Sequence, residues 1–334
     1  MPAPIRLPVL SVVIASRGRT FPSGTLDGLS SAAAVSEGAV EVVWVFDGVP
    51  ARDPEDRRAN GFGFEFRPLA LVRSGLPAAR NAGWKFAVSD LVLFIDEDVI
   101  ASPSLLRAHV EAHCAHPGCL VLGRVVEISE PLTAWGEHEQ VAADRRWRRL
   151  DNESRLGPIR VSMSNASISR KHLEETGGFA GWMPSEDDIE LGFRLQALGV
   201  PIVSAPDAVG ERRSRRTFEE WCSLARVRGK LDVSIYRNES SQSGGAASLA
   251  AAFRERHPFN RAAIRVASRS QGLERSMLAT AARIGVAAHG AGLKRLSRAA
   301  LSLVANIEYW AGVRQGLRGR DSFQRLLASA GRGS

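Results

Sequence analysis

Leu91-Val92-Leu93-Phe94-Ile95-Asp96-Glu97-Asp98 sets five large apolar residues directly before three carboxylates. A continuous apolar run of this length reads as a strand buried on both faces. Its acids then lie at the carboxyl end, where open α/β sheets gather their ligands. Side chains two apart on a strand point the same way, so Asp96 and Asp98 can converge on one divalent cation. Hard oxygen donors suit Mg2+ or Mn2+, and such an ion would offset the charge of a diphosphate. The stretch points to an enzyme that handles nucleotides.

Outward from it, apolar runs alternate with helical patterns. Strands are predicted at Leu10–Ala15, Val40–Phe46, Leu120–Leu122 and Ile202–Val203. Helices are predicted over 25–35, 77–88, 103–113, 170–176 and 184–198, while 51–67 reads as loop. Residues 130–158 read as a polar, Trp- and Arg-rich insertion over the sheet edge. This alternation implies a doubly wound, mostly parallel sheet flanked by helices.

The 334 residues are 44% hydrophobic and 24% charged, as in an ordinary globular protein with a substantial core. Three cysteines do not make a disulfide framework. No stretch is apolar for long enough to span a bilayer, and the N-terminus has no signal-peptide pattern. The expectation is a cytoplasmic protein. The net charge of +8 is uneven: residues 212–334 carry 23 Lys and Arg against 8 Asp and Glu, whereas 1–211 carry 21 against 28.

Several residues carry candidate chemistry beside a plainer reading. Asp47, at the end of Val42–Phe46, can bind a base or ribose, or simply start an Asp-Gly turn. Arg73, Arg80 and Asn81 flank a glycine-containing loop that enters a helix, where free N–H groups and guanidinium forks suit a phosphate. They equally suit a solvated helix face. Ser185-Glu186-Asp187-Asp188 has capping spacing, and Asp187 is also placed to serve as a general base. Glu190 and Arg194 pair at i,i+4. His109, His113 and His116 with Cys114 and Cys119 lack HExxH and CxxC spacing, which favours a surface helix over a metal site. No GxGxxG, GxxxxGK[ST] or GxSxG motif is present.

Taken in order, Ser11–Ser16, Val45–Gly48, Ala79–Gly83, Ile95–Asp98 and Ser185–Leu191 with Arg194 resemble the family 2 glycosyltransferases, over roughly residues 8–235. The resemblance implies a GT-A fold, with a nucleotide half (about 1–100) and an acceptor half (about 101–235) on one sheet. It implies an inverting transfer from a nucleoside-diphosphate sugar to an acceptor hydroxyl of a glycan, lipid-linked saccharide, peptide or natural product. On that resemblance Ser16, Asp47, Arg73, Arg80, Asn81 and Asp96 would contact the nucleotide. Asp96 and Asp98 would hold Mg2+ or Mn2+, and Asp187 would be the base. Asn165, Gly178, Phe179, Trp182 and Glu186 would line the sugar and acceptor pocket. The family often has a histidine after the last strand. Here the segment reads Ala208-Val209-Gly210-Glu211-Arg212-Arg213, so Glu211 is the candidate third ligand, and Arg212 and Arg213 are candidates to close over the diphosphate.

A Ser/Gly linker is expected at 236–245 and a basic helical extension at 246–334. Phe253, Phe259, Ile264, Ile284, Leu293, Leu296, Leu301 and Trp310 give the extension an apolar side. That side suits either an anionic membrane surface, at the inner face of the membrane, or packing within the protein. No nucleic acid is expected. A sugar-phosphate nucleotidyltransferase and a catalytically degenerate nucleotide-binding protein remain open as alternatives.

Overall fold

The computed structural model describes residues 9–18, 21–22, 24–36, 38–54, 61–129, 132–150, 156–181, 187–214, 216–239, 245–317 and 319–330. The chain divides into two compact units, one of Met1–Ile128 with Ala142–Arg213, the other of Ser129–Val141 with Ser214–Ser334.

The first unit is an eight-stranded sheet with helices. Its strands are β1 (Leu10–Ser16), β2 (Val40–Asp47), β3 (Glu65–Leu71), β4 (Leu91–Ile95), β5 (Val99–Ala101), β6 (Leu120–Ser129), β7 (Asn165–Ser169) and β8 (Ile202–Ser214). The sheet order is β3-β2-β1-β4-β7-β6-β8-β5. The pairs β3–β2, β2–β1 and β1–β4 are parallel; β4–β7, β7–β6 and β8–β5 are antiparallel. Alternation divides the apolar runs between two cores. Val13, Val43, Val45 and Phe94 face one, and Val12, Ile14, Trp44, Phe46 and Leu93 face the other. Burial on both faces is why these runs carry no polar alternation.

The strand β3 falls partly in a segment expected to be loop. Its Pro68 removes a ladder donor, which an edge strand tolerates, and β3 is the edge. The helices of this unit are α1 (Thr25–Ala34), α2 (Leu76–Phe86), α3 (Leu105–Ala115), α5 (Arg170–Thr176) and α6 (Asp187–Ala197); α4 (Ala134–Leu150), inside the region expected as an insertion, is assigned to the second unit up to Val141 and to the first from Ala142. A Cβ on Gly83 would collide with Val13, so glycine lets α2 lie close against β1.

His109 is fully buried on α3, and its hydrogen bonds form a chain of one polarity. Asn165 Nδ2 donates to the Ala208 carbonyl at 2.8 Å and the Arg124 carbonyl at 3.2 Å, leaving its Oδ1 to accept from His109 Nε2 at 2.8 Å. Nδ1 of His109 is then the acceptor, and Ser167 Oγ donates to it at 2.8 Å. The same Oγ accepts from His113 Nε2 at 2.9 Å. Two members of the histidine and cysteine set thus serve a structural network. Burial pushes both histidines down to about 4, assisted by His113 beside His109 and by His172 beside His113.

The second unit is helical: α7 (Phe218–Glu239), α8 (Gly245–Arg254), α9 (Pro258–Ala267), α10 (Gln271–Gly290), α11 (Lys294–Gly316) and α12 (Arg320–Ser329). The second unit takes in α7 as well as the extension expected at 246–334. The physical reason is the contact of α7 with α11. A Cβ on Gly229 would overlap the Tyr309 carbonyl oxygen, and one on Gly312 would overlap that of Arg226, so two glycines allow the backbones to touch. Arg226 Nε donates to Glu308 at 2.7 Å and Arg314 to Glu274 at 2.6 Å, neutralising two buried acids. Of the expected linker, residues up to Glu239 continue α7 and Gly245 begins α8; 240–244 lie outside the described residues. The apolar side of the extension is split: Phe253, Ile264, Leu301 and Trp310 are core, whereas Phe259, Ile284, Leu293 and Leu296 are exposed. Among the described residues no helix is long and apolar enough to cross a membrane.

Two measurements test this account. Neutral in the fold and protonated near 6.5 when unfolded, His109 contributes stability that is complete above pH 6.5 and is lost as pH falls toward 4. At about 1.4 kcal/mol per unit the loss is about 3 kcal/mol. Denaturant unfolding at pH 7.5 and 4.5 should show at least that drop, because His113 is shifted the same way, and His109→Gln, less stable at pH 7.5, should show a smaller one. Gly312→Ala should destabilise the helical unit by about 2 kcal/mol or more through overpacking, read as a lower Tm.

Candidate active site

The parallel register sets the site. Ser16 pairs with Phe46 and Val13 with both Val43 and Phe94, so β1, β2 and β4 end at one edge with Ser16, Asp47 and Asp96. Asp47 is buried there. Its Oδ1 accepts from the Ser74 N–H at 2.6 Å, and its Oδ2 accepts from the Gly75 N–H at 3.1 Å and from Arg17 Nε at 3.4 Å. The turn beyond it uses Gly48 at φ +82, where a Cβ would overlap the Arg73 side chain. Two amides expected to stand free for an anion are therefore taken by Asp47, which anchors the loop before α2. Arg73 is exposed.

One turn further along the edge, Arg212 of β8 meets three acids. Its Nη2 donates to Asp96, its Nε to Asp98 at 2.9 Å and its Nη1 to Glu127 of β6 at 3.2 Å. The side chain of Arg212 is 13% exposed. Burial alone would favour loss of its proton, but Asp96, Asp98 and Glu127 outweigh burial and hold it charged far above neutrality. Asp96 also lies 3.4 Å from Arg80, whose guanidinium sits over the Phe179 ring at 5.5 Å. Ser16 Oγ donates to Glu97, and Thr25 Oγ1 donates to the Glu97 carbonyl at 2.9 Å, fixing the turn that carries the acids.

Asparagines bracket the other side. Asn81 accepts from the Phe179 N–H at 2.9 Å and donates to the Phe179 carbonyl at 2.8 Å, holding that residue as a neighbouring strand would. A Cβ on Gly178 would overlap Asn81 Oδ1, which requires glycine. Asn81 thus reaches the segment expected to line the sugar pocket. Arg194 of α6 grips Glu190 and donates to the carbonyls of Thr176 and Gly178, the latter at 2.7 Å, holding the same segment. Asn165 lies opposite Ile95, next to Asp96, and is held by His109. Asp187 is the first residue of α6; Asp188 accepts from the Met163 N–H at 3.3 Å. Trp182 and Glu186 lie outside the described residues.

Glu211 and Arg213 do not join Arg212. Successive side chains of β8 point to opposite faces, so both stand away from the acid cluster, exposed. Glu127 and Arg17 belong to the site but carry no sequence signal: Glu127 sits in an ordinary apolar strand, and Arg17 is one more cation in a basic loop. Asp96 and Asp98 offer the hard oxygens a divalent ion takes, but the Arg212 guanidinium lies between them. Among the described residues no three His, Cys, Asp or Glu are grouped to hold a metal ion.

Residues 11–177, half of the chain, match the family model described as Glycosyl transferase family 2. The chain is 29% identical over 154 residues to the pre-mycofactocin glycosyltransferase of Mycobacterium tuberculosis, covering 44% of this chain and 32% of that protein. It is 28% identical over 250 residues to the validoxylamine A glucosyltransferase of Streptomyces hygroscopicus subsp. limoneus, covering 64% and 53%. The chain therefore spans about a third to about half the length of these relatives. A mannosyltransferase of Pyrobaculum calidifontis, solved with GDP-Man and Mn2+, shares the fold with a TM-score of 0.56 at 15% identity, over 95% of this chain and 89% of that one.

If Asp47 is the anchor of the loop before α2, Asp47→Ala should free the amides of Ser74 and Gly75. Hydrogen exchange at these two positions should accelerate at least about tenfold, and the first unit should lose about 2 kcal/mol of stability. Unchanged exchange would remove the anchoring role.

Proposed function

The chain belongs to glycosyl transferase family 2, and on that premise we propose that it transfers a sugar from a nucleoside-diphosphate donor to an acceptor hydroxyl with inversion. The observation that carries the reading is the gathering of Ser16, Asp47, Asp96 and Asp98 at one carboxyl edge of a parallel sheet, the place where such sheets bind nucleotides.

Asp47 and Arg17 flank the space for base and ribose. Arg80, Arg212 and Arg73 meet the diphosphate, the group on which negative charge grows as the bond to the sugar breaks, while Arg213, on the other face of β8, stays outside it. Asp187 takes the proton of the acceptor hydroxyl, whose oxygen attacks the anomeric carbon from the face opposite the leaving group. The C1–O bond to the acceptor forms as the C1–O bond to the phosphate breaks, and the electron pair leaves with the nucleoside diphosphate. The macrodipole at the start of α6 favours the ionised form of a carboxylate there. Phe179 and Asn165 support the sugar side, both held from behind by Asn81 and His109.

The Pyrobaculum mannosyltransferase was solved with Mn2+. A hard ion in this chain would have Asp96 and Asp98 as oxygen donors with Arg212 turned away, and would offset charge on the leaving diphosphate. The acceptor class is a hydroxyl-bearing glycan, lipid-linked saccharide, peptide or natural product. The exposed Ile284, Leu293 and Leu296 and the basic balance of the helical unit support its action at an anionic membrane surface.

A thermal-shift panel of UDP-, GDP- and dTDP-sugars identifies the donor. With it, Asp187→Asn should lower transfer by about 10^3-fold while leaving the donor-induced shift intact. Full transfer by this variant, or no shift with any donor, would count against the reading.

A further inference from the structure

We propose that Arg212 is the resident cation of the acid cluster: its guanidinium takes, in this chain, the place between Asp96, Asp98 and Glu127 that a divalent ion would otherwise fill. The proposal rests on reading the sheet edge as a donor site, and it adds that the donor diphosphate is met there by an arginine and not by a metal.

The geometry is that of a filled site. Three different nitrogens of one guanidinium serve three carboxylates, from the end of β4, the turn after it and β6. A planar fork of fixed N–H directions is suited to such a set, where an ammonium would not be. Arg212 and Glu127, with side-chain exposures of 13% and 15%, form the inner end of the group, and Asp96 and Asp98, at 31% and 53%, its solvent-facing end. Arg80, 3.4 Å from Asp96, adds a second guanidinium to the cluster. A divalent ion placed among the same oxygens would stand within a few ångströms of a guanidinium, and like charges at that range exclude each other. The residue expected to complete an oxygen shell, Glu211, faces away from the cluster, while its neighbour Arg212 faces in. Of the five N–H bonds of Arg212, three are used by the acids, which leaves two to donate to a phosphate oxygen.

The test uses the full chain. Mn2+ is titrated by electron paramagnetic resonance into nucleotide-free protein. Wild type should leave Mn2+ free in solution. Arg212→Gln, which uncovers the three acids, should bind one Mn2+ at least about tenfold more tightly; Arg212→Lys, which keeps the charge, should bind less tightly than Arg212→Gln. In parallel, GDP, UDP and dTDP binding is measured by calorimetry in EDTA and in Mn2+. The wild-type affinity for the preferred nucleotide should agree within about twofold between the two buffers. For Arg212→Gln, binding should fail in EDTA and return with Mn2+. Stoichiometric Mn2+ uptake by nucleotide-free wild type, or wild-type nucleotide binding abolished by EDTA, would overturn the proposal, and neither depends on a variant folding. If no nucleotide binds in either buffer, the donor-site reading falls, while the Mn2+ titration still decides the role of Arg212.

Discussion

The parallel register of β1, β2 and β4 is the constraint on which the first unit depends. It aligns three strand ends, and so brings Ser16, Asp47 and the acids after Ile95 to one edge. Gathering carboxylates in a partly buried place is electrostatically unfavourable unless each is paired or hydrogen-bonded. The structure meets that requirement differently at each position. Asp47 is satisfied by two backbone amides and Arg17, Glu97 by Ser16, and Asp96 and Asp98 by Arg212, with Arg80 beside Asp96. The edge is therefore internally compensated, and an incoming anion meets guanidinium groups already held by acids.

The walls of the site are positioned by side chains that imitate backbone. Asn81 pairs both polar groups of Phe179, and Arg194 collects the carbonyls before it. Asn165 spends its amide protons on two carbonyls and leaves its oxygen to His109. In such a network each member has its donor and acceptor roles set by its neighbour, so neutral histidines are part of the arrangement. This links the stability of the sheet to pH through groups that stand behind the site, one layer from the acids.

In the helical unit the governing contact is steric. Gly229 and Gly312 let α7 and α11 approach backbone to backbone, and two arginine–glutamate pairs close around that contact. A basic composition in this unit does not produce a uniformly wet surface. Its aromatic residues Phe253, Trp310 and Phe323 make a core of their own, with ring pairs at 5.0 and 6.2 Å.

Local pattern by itself determined the central strands and the acids that end them. An apolar run must be buried, an acid run must not, and the boundary between them marks a strand end whatever the rest of the chain does. The same logic found Asp47-Gly48 and the helix carrying Arg80, Asn81 and Gly83. It did not find β3, whose proline and charged residues break the pattern and are tolerated only because the strand is an edge. Nor did it find the partners. Arg212 meets Asp96 across 116 positions and Glu127 across 85, and Asn81 meets Phe179 across 98. Which cation neutralises which acid, and which face of β8 turns inward, depends on strand order and register. Those are set by the packing of the whole sheet, and no spacing along the chain encodes them.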